Sequence, residues 1–312
     1  MSIKKWINKN CKRLDNKTVL ITGSTSDLAS YFTEFLLEFG ANLIFANRNL
    51  DKSEKQKEKL LKKFPNAKIK ILQLDLFDIN IVKKFTNEIK SYNVDYYIFN
   101  SAMFNEKRET SNCGFDNIFQ VNFVSPYYII KQLLPLNENS KIIVIGSIAH
   151  NFTKVDFNDI QMLKTKNPNK IYGNSKRFLM YSLTKLFENF PKNLTIVHPG
   201  ITLTRMTSHY PKSINWLVKL NERIIFQKPK KASLSVLLGI FNNTQTNEWI
   251  GPKIIYGVIQ KFKNSKIIVT KKQHKFSISP KKYTIKLNKL NLIILNYEYK
   301  IIIKIKTKIC IF

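Results

Sequence analysis

Glycine and cysteine are scarce in this chain of 312 residues, with nine and three copies. So few glycines exclude a collagen-like or glycine-rich low-complexity protein, and they make any glycine placed just after a strand informative. Cys11, Cys113 and Cys310 lie far apart and are odd in number. That excludes a disulfide framework and the usual cysteine metal spacings, so a reducing compartment is the expectation. Acidic residues are few: 21 Asp and Glu stand against 52 Lys and Arg, for a net charge of +31. The excess is nearly all Lys, spread along the chain beside abundant Asn and Ile, as AT-rich coding DNA would produce. No Arg-dense cluster interleaved with aromatics occurs, so specific nucleic-acid recognition is not the reading. No uncharged apolar run reaches the roughly 18 residues of a membrane span, and the N-terminus lacks the apolar centre of a signal peptide. A cytoplasmic protein is expected. Its apolar fraction of 44% is enough for the core of one large domain.

What the chain does have is a regular alternation. Short apolar runs at residues 18–22, 42–46, 69–73, 96–99, 141–145 and 194–197 are separated by helical periods at 27–39, 51–64, 78–91, 115–135 and 171–190. Strands joined through helices imply right-handed crossovers and a parallel sheet. Near-continuous Ile, Val and Leu strands agree, because a doubly covered sheet buries both strand faces. The fold class is therefore α/β, a Rossmann-type doubly wound parallel sheet in a single domain. Residues 1–16 read as a basic helix or arm, 17–269 as the domain, and 205–250 as a small helical segment on the substrate side. In that segment Met206, Tyr210, Trp216, Leu217 and Phe226 could form an apolar lid or a packed helix pair. Residues 270–312 hold eleven Lys, no Arg and one acid, Glu298, and are expected to be a poorly ordered tail.

Three groups of residues carry chemistry. The first strand runs into Gly23, Ser24, Ser26, Asp27 and Leu28 before a helix, a turn that can present backbone N–H groups and a helix N-terminus to a diphosphate. Asp27 fills the place of a second glycine, a charge unfavourable beside phosphate unless it points away as a helix N-cap. The second strand ends in Asn47 and Arg48 with no acid for a ribose hydroxyl. A cation there can take a 2′-phosphate, and Ser24 can donate to the same group. This favours NADP (NADPH), with NAD possible. Finally, Tyr172 and Lys176 stand one helical turn apart, and Ser147 ends the fifth strand. A cation at that spacing can lower a phenol pKa, and a serine hydroxyl beside it would complete a proton-transfer site.

Across residues 16–260 these motifs, in this order, resemble the short-chain dehydrogenase/reductase family, most closely its retinol-dehydrogenase-like branch. Asp75 with Leu76 looks like the family's adenine-contacting acid. Asn100, Ser101 and Ala102 stand where it has Asn-Ala-Gly, and Asn122 matches its central-helix asparagine. Pro199, Gly200, Thr202 and Thr204 match the loop beside the nicotinamide. The resemblance implies an NAD(P)-dependent oxidoreductase for a small-molecule carbonyl or alcohol. Tyr172 would be the general acid/base, Lys176 would lower its pKa and hold the ribose, and Ser147 would bond the reacting oxygen. Asn122 would anchor a relay water through its backbone and side chain. No metal is implied, and a homodimer or homotetramer is the family's habit. A dinucleotide-binding sensor or scaffold without turnover is the competing reading.

Overall fold

In the computed structural model the described residues are 2–104, 107–134, 140–156, 158–188, 193–200, 202, 228–242 and 249–252, plus the backbone of strands between 259 and 306. Eight strands form one sheet: β1 (Thr18–Thr22), β2 (Asn42–Asn47), β3 (Ile69–Gln73), β4 (Tyr96–Phe99), β5 (Lys141–Ile145), β6 (Leu194–Val197), β7 (Trp249–Pro252) and β8 (Ile259–Phe262). Their spatial order is β3-β2-β1-β4-β5-β6-β7-β8, parallel through β7, with β8 antiparallel at the edge. The chain leaves β1 for β2 and β3 on one side and returns to β4 on the other, so the β1/β4 junction is the topological switch point.

Alternate strand residues feed two separate cores. Leu20, Tyr97, Phe99, Ile142 and Val144 pack on one face, while Val19, Ile21, Ile98, Ile143 and Ile145 pack on the other. A sheet wetted on one side would leave every second position polar. Here both faces are covered. The first face carries α4 (Ile79–Ile89), the α5 (Asn117–Phe119) and α6 (Ser125–Leu133) helix, and α7 (Pro168–Leu186). The second carries α1 (Ile3–Asn10), α2 (Asp27–Glu38), α3 (Leu50–Lys63) and α8 (Pro229–Phe241). Trp6 of α1 and Leu14 are buried in this second core, so the N-terminal segment is fastened to the domain.

Two departures from regular geometry bear on the site. Between α5 and α6, residues Gln120–Val124 form a π turn in which Ser125 N–H bonds the carbonyl of Gln120. Pro126 has no N–H, so the α-helical bond from residue 126 to the Asn122 carbonyl cannot form. Gly173 sits where α7 crosses a 3₁₀ turn (Ile148–Phe152): a Cβ there would lie 2.5 Å from the Ala149 carbonyl oxygen.

The substrate-side segment 205–227 lies outside the described residues, as does Thr204; α8 is the described helix of that region. The Lys-rich tail, expected to be poorly ordered, carries three strands over its described residues: β9 (Lys282–Leu287), β10 (Leu290–Tyr297) and β11 (Lys300–Lys306). They pair antiparallel with one another, in a sheet of their own, where Ile- and Leu-rich runs supply the strand propensity.

Candidate active site

A cavity of about 1040 Å³ opens at the C-terminal ends of β1, β2, β4, β5 and β6. It is large enough for a dinucleotide with a small substrate. Gly23, Ser26, Asp27 and Leu28 line it from the β1 turn, and Asn47 and Arg48 line it from the end of β2. Asp75, Leu76, Asn100, Ser101 and Ala102 follow from β3 and β4, and Ser147, Tyr172, Pro199, Gly200 and Thr202 close the far end. Ser24, Asn122 and Lys176 are buried behind the walls instead.

The turn after β1 is held from below. Gly23 has φ of 65°, and a Cβ there would sit 2.7 Å from Ser101 Oγ. Any other residue would therefore meet both backbone strain and a clash. The Asn100 side-chain amide donates to the carbonyls of Thr22 (3.1 Å) and Gly23 (2.9 Å) and to Ser26 Oγ (3.1 Å), tying the turn to the end of β4. Ser26, not Asp27, is the N-cap of α2, its hydroxyl accepting from Ala29 N–H. Asp27 is the first helical residue and lines the cavity, so it is not the cap that would turn its charge away.

Ser24 does not serve as expected. Its hydroxyl is fully buried and donates to Gln56 Oε1 at 2.8 Å, while Asn47 Nδ2 donates to it and the Ser24 N–H donates to Asn47 Oδ1. Gln56 comes from α3, 32 residues along the chain, and also donates to the Ser24 carbonyl. Ser24 thus shapes the turn and has no hydroxyl proton to offer a 2′-phosphate. The cation face has a member missed by the sequence reading, Lys52, which lines the cavity with Arg48 and Asn49. It stands in the first turn of α3, just past the end of β2.

At the far end Ser147 and Tyr172 line the cavity together, and the serine side chain favours the ionised form of the phenol. Burial nevertheless dominates, and the phenol is pushed up to about 12. Lys176 is pulled down to about 8 by burial, and its ammonium donates to the Ile145 carbonyl at 2.9 Å. The expected lowering of the tyrosine by the lysine is thus not what the protein alone shows: both groups are pushed toward their neutral forms, because burial disfavours the charged form of each. The Lys176 ammonium lies 5.8 Å from the Tyr172 ring centre.

Asn122 is also reassigned. Its amide donates to the Met103 carbonyl (2.8 Å) and Ser175 Oγ (3.0 Å), and its oxygen accepts from Met103 N–H (2.7 Å). Both amide hydrogens are engaged, so the side chain clamps the β4 loop to α7, and any relay water would have to use the backbone. Ser175 continues the tie by donating to the Tyr172 carbonyl. Phe104 packs edge-on against Tyr172 at 5.4 Å between ring centres. His198, whose ring burial lowers to about 4, sits beside Pro199 at the end of β6.

Among the described residues no cluster of His, Cys, Asp and Glu could hold a metal ion. No described helix is long and apolar enough to cross a membrane.

Known proteins fit this geometry. The family model described as short chain dehydrogenase matches residues 17–215. The "Short-chain dehydrogenase TIC 32 A, chloroplastic" of Brassica napus is 30% identical over 210 residues, covering 62% of this chain and 66% of that protein. "Retinol dehydrogenase 13" of Mus musculus is 24% identical over 205 residues, 63% of this chain and 61% of that one. The chain thus spans just under two thirds of the length of these relatives. A solved structure, "Short-chain dehydrogenase from Sphingobium yanoikuyae in complex with NADPH", superposes with a TM-score of 0.55 over 72% of this chain and 83% of that one, at 16% identity. Fold, site order and family match agree: the chain belongs to the short-chain dehydrogenase family.

Proposed function

We propose that the protein is an NAD(P)-dependent oxidoreductase that moves a hydride between a nicotinamide cofactor and a carbonyl or alcohol, with NADPH preferred. The observation that carries this is that Ser147 and Tyr172 line the same end of the cavity, with the buried Lys176 ammonium 5.8 Å from the Tyr172 ring centre.

The residues fit a dinucleotide. Gly23 gives the tight turn, the N-terminus of α2 offers its positive end, and Arg48 with Lys52 provides the only cations on the β2 side of the cavity among the described residues. Bound NADPH would supply the hydride. The protein supplies the proton and holds the oxygen. With its pKa near 12, Tyr172 is a neutral phenol at pH 7 and carries a proton for the substrate oxygen as that oxygen gains charge. Ser147 donates to the same oxygen, and Lys176 places a positive charge behind the ring as Tyr172 becomes a phenolate. In the reverse direction the Tyr172 phenolate would accept the proton of the alcohol.

NADPH consumption over a panel of aldehydes and ketones tests the reading. Turnover of any of them supports it, whereas NADPH binding without turnover across the panel would favour a dinucleotide sensor. Size-exclusion chromatography tests the dimer or tetramer that belongs to the same proposal. Free Cys11 and buried Cys113 suit a reducing compartment such as the cytoplasm, which localisation of a tagged chain would check.

A further inference from the structure

Arg108 stands outside the cavity but joins its two substrate-side walls. One wall is the loop after β4, which carries Met103 and Phe104. The other is the segment running from residue 158 into α7, which brings Asn167, Asn169 and Lys170 to the cavity and then Tyr172. The Arg108 guanidinium reaches four groups. Nε donates to Asp116 Oδ2 at 2.7 Å, one terminal nitrogen donates to the carbonyls of Met162 (2.7 Å) and Thr165 (3.3 Å), and the other donates to the Gln161 carbonyl (3.0 Å). Asp116 is 2% exposed and also caps α5, so its carboxylate gives the fork a fixed base. From the other direction Gln161 Oε1 accepts from the Asp116 N–H at 2.7 Å.

The segment makes turns of its own, in which the Asp159 carboxylate accepts from the Leu163 and Lys164 N–H groups, and Asn174 of α7 donates to the Ile160 carbonyl, but Arg108 is what ties it to the β4 loop at its strained residue. Met162 has φ of 57°, a left-handed conformation that a non-glycine residue adopts only when its surroundings hold it there. Its carbonyl is the one Arg108 grips at 2.7 Å. Three backbone carbonyls converging on one planar cation need the spread of a guanidinium, and a lysine ammonium cannot span them.

We propose that Arg108 is a positioning residue: it latches the 158–167 segment to the β4 loop and so sets the mouth through which the carbonyl substrate enters. The proposal rests on the oxidoreductase reading, but it has a readout independent of turnover. Arg108→Lys keeps a positive partner for the buried Asp116 while losing the three-carbonyl fork, and Arg108→Met removes both. Hydrogen exchange followed by mass spectrometry should show the 158–167 segment of Arg108→Lys exchanging at least about tenfold faster, with β1 to β5 unchanged and the NADPH Kd within about twofold of wild type. With a carbonyl that wild type reduces, KM should rise about tenfold while kcat and its pH profile hold, because the chemistry is intact and the entrance is loose. Arg108→Met should show the same KM shift with a lower melting temperature. Unchanged exchange in residues 158–167, or a fall of kcat and NADPH affinity together at unchanged KM, would overturn the latch. Absence of carbonyl reduction in wild type would sink the oxidoreductase reading instead, and the exchange result would then decide the latch alone.

Discussion

Lys176→Met isolates the cost of a charge buried against the sheet. The lysine falls from 10.5 in the unfolded chain to about 8 in the folded protein, because burial penalises its ammonium form. That gap corresponds to roughly 3 kcal/mol of destabilisation at pH 7, where the folded protein must carry the buried charge. Between pH 8 and 10.5 the unfolded chain still holds the proton that the folded protein has lost, so stability rises with pH through this window. About 2 kcal/mol of the penalty is gone by pH 9.5. Methionine fills the same space without a charge but leaves the Ile145 carbonyl without its 2.9 Å donor, an offset of about 1–3 kcal/mol that does not vary with pH. Tyr172 titrates in both proteins and cancels from the comparison. Urea denaturation of wild type and variant at pH 7 and 9.5 therefore yields a clean double difference. Wild type should gain about 2 kcal/mol on the variant over that interval. Parallel curves at the two pH values would refute the claim that Lys176 is strained toward neutrality.

Three further outcomes follow from the cofactor end. Asp27→Asn removes the carboxylate of a cavity-lining residue at the start of α2 and should tighten NADPH binding about fivefold at low salt, less at high salt, by titration of NADPH fluorescence. Its apo melting temperature should fall slightly, since an acid in the first turn favours the helix. Arg48→Asp should weaken NADPH relative to NADH by about tenfold or more, read as the ratio of the two Kd values. Gly23→Ala should cost about 1–2 kcal/mol in denaturant and most of the cofactor affinity, because φ of 65° and the 2.7 Å approach to Ser101 Oγ both resist a side chain.

The sheet was legible because its strands are buried on both faces and so read as unbroken apolar runs; β1, β3, β4, β5 and β6 begin and end where those runs do. Gly23, Asn100, Ser147 and Tyr172 were legible because strand ends and helical spacing place them at one edge of that sheet. The misreadings share one cause, since each depended on a partner distant in sequence. Ser24 looked free until Gln56 of α3 took its hydroxyl proton. Asn122 looked available for water until Met103 and Ser175 took its amide. The pKa relation of Tyr172 and Lys176 was inferred from spacing along a helix, whereas burial by β5 and the 3₁₀ turn sets it. Arg108 gave no signal at all, because its carbonyl partners at 161, 162 and 165 follow no side-chain pattern.

The central claim is that Tyr172 delivers the proton, and Tyr172→Phe tests it most directly. With the carbonyl that wild type reduces best, the variant should lose about 10²–10⁴ in kcat while binding NADPH within about twofold of wild type. Retention of wild-type kcat in that variant would contradict the account.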